Sequence, residues 1–168
     1  MEWIDIFVKS SSHLYKFVSH LLSYFSRKKK YSPEKTKQNI EVSISAQEGS
    51  IEMWCDKYQS MFKVILEFKN NNPFSIEIDR VEISGYTYSG ASVEAIELFG
   101  ERIEAHKKAR IFLKGKIDSA NLEKINQASN DETLRLEVKA IIVNKYHNIR
   151  DYKYHFDRLR CEYHNRQK

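Results

Sequence analysis

The fold is decided by one stretch of the chain, residues 62–86, which read FKVILEFKNNNPFSIEIDRVEISGY. In its first part, apolar side chains occupy every second position, which is the period of a strand with one buried face. Three asparagines and a proline follow, and this proline ends strand pairing because it lacks an amide donor. Alternation resumes at Ile76 and changes phase at Asp79 and Arg80, as a β-bulge would produce. The stretch therefore predicts two long strands joined by an Asn-Pro turn.

The same period of two extends through most of the chain on both sides of this stretch. Further strands are predicted near residues 40–46, 51–55, 93–99, 109–117, 134–142 and 152–156, with a turn at 144–148. One segment departs from the pattern: Asp118 and Ser119 offer a helix N-cap, and helical spacing predicts a short helix near 119–129. Seven or eight short strands separated by turns indicate a mainly β, immunoglobulin/fibronectin-III-like antiparallel β-sandwich. A small barrel is the competing architecture, and no βαβ pattern supports a doubly wound sheet.

The layout of residues 62–86 resembles that of the late-embryogenesis-abundant LEA-14/WHy type of domain. The shared features are a strand, an Asn-Pro turn followed by an aromatic residue, and a long strand that begins with paired isoleucines. The order downstream is also similar, with a basic stretch at residues 106–108 before the strand at 109–116. The resemblance covers about residues 40–156. Neither the helix predicted near 119–129 nor the N-terminal segment belongs to it. It implies a fibronectin-III-like sandwich without catalytic residues and with a binding or stress-protective role.

The N-terminal segment has a different period, that of an amphipathic helix. It contains no glycine or proline up to Arg27. At 100° per residue, one side collects apolar residues, namely Trp3, Ile4, Phe7, Leu14, Val18, Leu21, Leu22 and Phe25. The other side is polar and includes Lys9, Lys16 and His20. The apolar residues also fit a heptad seam, in which only Ser11 is out of place.

Three uses of this helix remain open from the sequence. Polar residues at every turn argue against a transmembrane span, which needs about 20 mostly apolar residues. The segment also lacks the basic start and small-residue cleavage site of a signal peptide. The aromatic residues and the run from Arg27 to Lys30 suit an anionic membrane surface. The heptad seam suits a partner helix or self-association instead, and a third use is packing on the protein's own domain.

The net charge of +5 belongs to this N-terminal segment alone. Residues 1–37 hold eight basic and three acidic side chains, and the whole chain holds 28 and 23. The remaining 131 residues therefore carry 20 of each sign, which is not the profile of a domain that tracks a phosphate backbone. Composition divides the chain into a docking helix with a basic end (1–30), a linker (31–39), a β-sandwich domain (40–160) and a polar tail (161–168).

The search for catalytic and metal-binding motifs finds no strong signal. Gly-rich phosphate loops, Gly-x-Ser-x-Gly, His-Glu-x-x-His and Cys-x-x-Cys are all absent from the sequence. The best metal candidate is the run 161–164, Cys-Glu-Tyr-His, together with His155 and Cys55. It offers one close pair of ligands where zinc sites usually show two, so neither a metal nor another cofactor is expected. Because the chain has two cysteines and no export signal, we expect a cytoplasmic location and no Cys55–Cys161 disulfide.

The sequence thus predicts a non-enzymatic binding or scaffold module, attached through its N-terminal helix to a membrane surface or a larger protein assembly. The predicted docking residues are Trp3, Phe7, Leu14, Val18, Leu21, Phe25, Arg27, Lys28, Lys29 and Lys30. The alternative is a nucleic-acid-binding protein that uses the basic segment and an aromatic platform on the last strand, formed by Tyr152, Tyr154 and Phe156. An enzyme whose site is assembled only in space is the third hypothesis. The first hypothesis, in its membrane version, implies that the protein is located at the inner face of a membrane.

Overall fold

The computed structural model describes residues 2–55, 60–87, 90, 92–117 and 133–165, and of residues 2–13, 55, 163 and 165 it describes the backbone alone. The helices in these ranges are α1 (Glu2–Lys30) and α2 (Pro33–Gln38). The strands are β1 (Ile40–Ile44), β2 (Ile51–Cys55), β3 (Ser60–Asn70), β4 (Ile76–Thr87), β5 (Ser92–Ile103), β6 (Lys108–Lys116), β7 (Thr133–Val143), β8 (Asn148–Arg160) and β9 (Glu162–Asn165). The helix predicted near 119–129 lies outside the described residues.

The strands form two sheets around one core, which confirms the predicted β-sandwich. In the first sheet β3 is central: β6 pairs with it along one edge, and β1 and β2 pair with it in succession along the other. β9 extends this sheet by pairing in parallel with β2. The second sheet is antiparallel, in the order β5-β4-β7-β8.

The stretch that predicted the fold supplies one strand to each sheet, β3 to the first and β4 to the second. The pairing of β4 with both neighbours shifts register between Ile78 and Arg80, which confirms the predicted bulge. Gly100 was expected to end the strand before it, but β5 continues to Ile103. Pairing with β4 is interrupted at Phe99 and Gly100, which lie opposite Asp79, and it resumes at Glu101. Gly100 adopts a φ of +104°, a conformation that glycine takes without strain because it has no Cβ.

The inward faces of both sheets form a continuous apolar core. Its largest fully buried side chains are Phe62, Leu66, Phe68, Ile76, Ile78, Ile83, Ile103, Ile111, Leu113, Leu134 and Leu136. These residues come from strands of both sheets and occupy the alternate positions that the sequence marked as apolar. The hydrophobic effect of this burial is the main stabilising contribution of the sandwich.

A buried asparagine joins three segments at one end of the core. Asn70 is fully buried, and its Nδ2 donates to the carbonyl oxygens of Phe74 at 2.8 Å and of Ile103 and Glu104 at 3.2 Å each. Its Oδ1 accepts from both the backbone N–H and the side-chain amide of Asn72, each at 3.0 Å. The Asn-Pro turn is therefore held to the end of β5 by side-chain hydrogen bonds, which satisfy polar groups that water cannot reach.

The two segments that flank the sandwich contain more regular structure than composition indicated. α2 lies within the predicted linker 31–39: the Oγ of Ser32 accepts from the Lys35 N–H at 3.4 Å, and Pro33 occupies a first-turn position. Serine at the N-cap and proline next to it are ordinary helix-start signals. In the predicted polar tail, β9 forms because β2 offers it a partner more than 100 residues away in the chain.

Candidate functional site

The apolar face of α1 is not covered by the sandwich. Leu14 and Phe25 are 66% and 60% exposed, and Val18 and Leu21 are exposed as well. Every side chain from residue 14 to residue 30 is in fact exposed. Trp3 and Phe7 belong to the same helix, in the part where the backbone alone is described. The six apolar residues of the docking prediction therefore lie on one helix, and the four of them whose side chains are described are open to solvent.

No helix among the described residues is long and apolar enough to cross a membrane. This finding agrees with the polar residues that interrupt α1 at each turn. From residue 14 onward, the apolar side chains of α1 form a stripe along one side of the helix and do not surround it.

The basic residues of the docking prediction lie together in the last turn of α1. Arg27, Lys28, Lys29 and Lys30 are all exposed. The partial negative charge at a helix C-terminus favours cations there. Lys145, on the sandwich, places its Nζ 5.0 Å from the ring centroid of Tyr146, close to where the helix ends. A cluster of positive charge thus surrounds the junction of helix and sandwich.

The junction itself is built from aromatic rings. The ring of Tyr31, just after α1, lies 5.1 Å from that of Phe74 and 5.9 Å from that of Tyr146. Phe74 and Tyr146 are buried and 5.5 Å apart, and Tyr24 of α1 adds a fourth ring 5.8 Å from Tyr146. Edge and offset contacts at such distances stabilise aromatic clusters. The Asn-Pro turn, which supplies Phe74, therefore also seats the helix.

Two polar contacts fix the flank of α1 that faces the sandwich. The hydroxyl of Tyr24 donates to the carbonyl oxygen of Lys145 at 3.5 Å. Nε2 of His147 lies 3.2 Å from the carbonyl oxygen of Lys28. Consecutive residues of a helix point about 100° apart, so Tyr24 faces the sandwich while Phe25 points well away from it. The helix meets the sandwich by a flank, and its apolar stripe stays outside the contact.

α2, which follows the junction in the chain, also contacts the sandwich. Its Thr36 is buried, and the carbonyl oxygen of Thr36 accepts from Nδ2 of Asn72 at 3.3 Å. Lys37 pairs with Asp151 of β8 at 2.6 Å, and the hydrogen bond from Lys37 lowers the pKa of that exposed carboxyl group. The segment between α1 and β1 is thus tied to the sandwich at several points.

The aromatic platform predicted on β8 is not presented to solvent as a set. Tyr152 is buried, and its hydroxyl donates to the carbonyl oxygen of Ile40 at 3.2 Å. Phe156 is half-buried against the core, and only Tyr154, at 38%, is exposed. The rings of Tyr154 and Phe156 are 4.9 Å apart. A base could not stack on Tyr152 unless the strand moved, and this arrangement gives the nucleic-acid alternative no support.

Burial of Tyr152 leads to a testable pH dependence. Burial, followed by the nearby Tyr154, raises the pKa of Tyr152 from 10.0 to about 12. The folded state therefore favours the neutral phenol, and this contribution to stability is complete below pH 10 and is lost as the pH rises toward 12. We expect phenolate absorbance to show one late-titrating tyrosine, absent from Tyr152→Phe. Tyr15→Phe, at an exposed position of α1, should keep the late step; a late step that persists in Tyr152→Phe would refute the assignment.

The fold keeps two of the candidate metal ligands, Glu162 and His164, together and places His155 on the other sheet. His155 lies on β8 with its Nδ1 3.7 Å from Glu137. Glu162 and His164 lie on β9, where parallel pairing brings them beside Glu52 of β2. Glu52 was missed because it joins Glu162 and His164 only through the pairing of β2 with β9, and no local signal in the sequence marks that pairing.

Comparisons with known proteins give likenesses of fold. No family model matches the chain, and no curated protein matches it. Among solved structures, an Arabidopsis thaliana protein has a TM-score of 0.48 at 12% identity, over 68% of this chain and 83% of its own. A candidate late embryogenesis abundant (LEA) protein has a TM-score of 0.46 at 11% identity, over 86% and 88%. A β-glucuronidase of glycoside hydrolase family 2 has a TM-score of 0.35 at 15% identity, over 71% of this chain and 11% of its own.

These likenesses concern the fold alone. The presence of an LEA candidate among the neighbours agrees with the resemblance that residues 62–86 show to the LEA-14/WHy type. At the level of architecture, the chain is a mainly β protein with two sheets in a sandwich and a helix at its N-terminus.

Proposed function

We propose that the protein is a non-enzymatic β-sandwich module held by α1 at the anionic, cytoplasmic face of a membrane. The observation that carries the proposal is the exposed apolar stripe of α1, which the contacts between the end of the helix and the sandwich leave open. Exposed apolar patches of this kind mark surfaces that bind proteins or membranes. The contacts with the sandwich are made by Tyr24 and by the carbonyl oxygen of Lys28, which are not part of the stripe, and by Tyr31, which follows the helix. This weighs against packing of the stripe on the protein's own domain.

The width of the stripe favours a lipid surface over a partner helix. A two-stranded coiled coil buries a narrow seam of two positions in each heptad, whereas an interfacial helix has a broader apolar face. Exposed Tyr15, Phe17 and Leu22 flank the seam formed by Leu14, Val18, Leu21 and Phe25. Aromatic residues are well suited to the boundary between headgroups and acyl chains.

The basic residues supply the second part of the attraction. Arg27 to Lys30 follow the apolar stripe directly, and each basic residue near an anionic leaflet contributes about 1 kcal/mol. Because these residues adjoin the aromatic junction, a bound helix would place the sandwich close to the headgroups. The outer leaflet of most cells is less anionic, which is why the proposal specifies the cytoplasmic face.

The proposal can be tested with the full chain and vesicles of phosphatidylserine and phosphatidylcholine. We expect sedimentation with these vesicles and little with pure phosphatidylcholine. The double variant Leu14→Glu/Leu21→Glu should bind at least about 100-fold more weakly, since each buried leucine contributes about 1.5–3 kcal/mol. Binding should also weaken as salt is raised, because the basic cluster is exposed.

A matched control is available on the sandwich. Ile96→Glu/Leu98→Glu makes the same chemical change at two exposed apolar residues of β5 and should leave vesicle binding unchanged. Equal binding by all three proteins, or no binding by the unaltered chain, would overturn the proposal. If light scattering instead shows an oligomer that the α1 double variant converts to a monomer, the helix serves self-association.

A further inference from the structure

Parallel pairing of the last strand with β2 creates a cluster of metal-ligating side chains on the outer face of the first sheet. The register places Glu52 beside Glu162 and Trp54 beside His164. Met53, between the two β2 residues, is buried in the core, so its neighbours point outward. The cluster lies on the sandwich and shares no residue with the docking helix.

Donor atoms from two carboxylates and one imidazole converge at this place. Nε2 of His164 lies 3.9 Å from Oε1 of Glu52 and 4.0 Å from Oε2 of Glu162. One donor atom from each of the three residues lies within 4.8 Å of the other two. Ligands at about 2.0–2.1 Å around a tetrahedral ion are about 3.4 Å apart, so small rotations of the exposed Glu162 and His164 would complete the geometry.

The other oxygen of each carboxylate is held by a separate donor. Nζ of Lys63 lies 2.7 Å from Oε2 of Glu52, and the backbone N–H of Gly49 donates to Oε1 of Glu162 at 3.0 Å. The ring of His164 is stacked on Trp54, with centroids 5.8 Å apart and planes inclined by 18°. Metal ligands are commonly oriented by such outer contacts, which leave one donor atom of each ligand directed at the ion.

Gly49 also keeps the space beside the cluster open. It adopts a φ of +68°, where side chains are strained, and a Cβ at this position would lie 2.5 Å from Oε1 of Glu52. A larger residue would therefore push away the oxygen that faces His164. The loop before β2 forms a wall of the site and contributes the N–H that holds Glu162.

From these contacts we propose that Glu52, Glu162 and His164 bind a divalent transition-metal ion, with zinc as the reference ion. Carboxylate oxygen and neutral imidazole are ordinary ligands of zinc and its neighbours in the first row. With His164 neutral, the three ligands and Lys63 carry a net charge of −1, which favours a cation. Three protein ligands leave further positions to water, and the ion would join the C-terminal strand to β2.

The rival reading is an ion-pair network in which a protonated His164 interacts with the two glutamates. That network needs no metal, so the two readings differ in a direct measurement. Trp54 is a built-in reporter, since the chain has two tryptophans and Trp3→Phe leaves Trp54 as the only one. A bound paramagnetic ion such as Co²⁺ should quench its fluorescence because the ring is stacked on a ligand.

The test uses the full chain after treatment with a chelator. We expect calorimetry to show that one equivalent of Zn²⁺ binds per chain and thermal unfolding to show that Zn²⁺ raises the Tm. In the Trp3→Phe background, we expect Co²⁺ to quench the fluorescence of Trp54. His164→Ala and Glu162→Gln should each weaken binding at least tenfold. His155→Ala removes a histidine that also pairs with a glutamate but belongs to no three-ligand group among the described residues, and it should bind as the unaltered chain does.

Two results would overturn the metal site. One is the absence of saturable Zn²⁺ and Co²⁺ binding at a several-fold molar excess near neutral pH. The other is metal binding that His164→Ala and Glu162→Gln retain in full. Unfolding curves of the metal-free variants show whether each one is folded. If His164→Ala does not fold, Glu162→Gln still tests the site, because Glu162 is exposed.

Discussion

Asn70→Ala is expected to lower the free energy of unfolding by about 3–5 kcal/mol. Its Nδ2 serves the carbonyl oxygens of Phe74, Ile103 and Glu104, and its Oδ1 accepts two hydrogen bonds from Asn72. Alanine would leave these groups without their partner in a place that is closed to solvent. Each unsatisfied buried polar group costs about 1–3 kcal/mol, and several are affected at once. Urea unfolding followed by circular dichroism measures the loss.

Asn71 is the matched control for this prediction. It is the next residue of the same turn, but it is only half-buried, and its Nδ2 donates to the exposed Oε1 of Glu41 at 2.6 Å. Asn71→Ala should therefore cost less than about 1 kcal/mol. Equal losses in the two variants would show that the turn is stabilised by its backbone conformation and not by the hydrogen bonds of Asn70.

Gly115→Val is expected to cost about 3 kcal/mol or more. Gly115 lies on β6, and a Cβ there would clash with the backbone carbonyl oxygen of Glu94 on β5 and lie 3.1 Å from the Cβ of Ala95. β5 and β6 belong to different sheets, so this glycine lies where edge strands of the two sheets approach each other closely. A backbone atom cannot move aside as a flexible side chain can, and overpacking of a well-packed site costs about 1–3 kcal/mol or more.

Lys114→Val provides the comparison on the same strand. Lys114 is exposed, and its contact with Glu97 is made through the backbone N–H, which valine keeps. This variant should change stability by about 0.5 kcal/mol or less. Thermal unfolding of both variants separates the effect of space at position 115 from the effect of valine in β6. A Gly115→Val protein as stable as Lys114→Val would mean that the sheet edges can separate without cost.

Much of the architecture could be predicted because it depends on local periodicity. The side chains of a strand alternate between two faces, so the apolar positions of β3 and β4 in the sequence are the buried positions in the structure. Even the bulge near Asp79 was visible, because an extra residue changes the phase of the alternation. The helical period of α1 was equally clear, and the helix runs three residues beyond Arg27.

The features that the sequence did not reveal depend on partners far away in the chain. β9 is a strand only because β2 lies beside it, and Glu52 joins Glu162 and His164 only through that pairing. Gly100 was read as the end of a strand because glycine often marks a turn, whereas β5 pairs with β4 on both sides of this glycine and continues to Ile103. α2 is the exception: Ser32 and Pro33 were local signals in a segment whose polar composition suggested a linker.

By itself, the sequence determined most of the strands, the face of each that is buried, and that an amphipathic helix with a basic end precedes them. Backbone geometry sets these periods, so they are legible without knowledge of the fold. The tertiary structure alone decided that Tyr24 and Lys28 meet the sandwich by one flank of α1. A periodic pattern shows that a helix has an apolar face but not what covers it, because that depends on contacts between residues more than 100 positions apart.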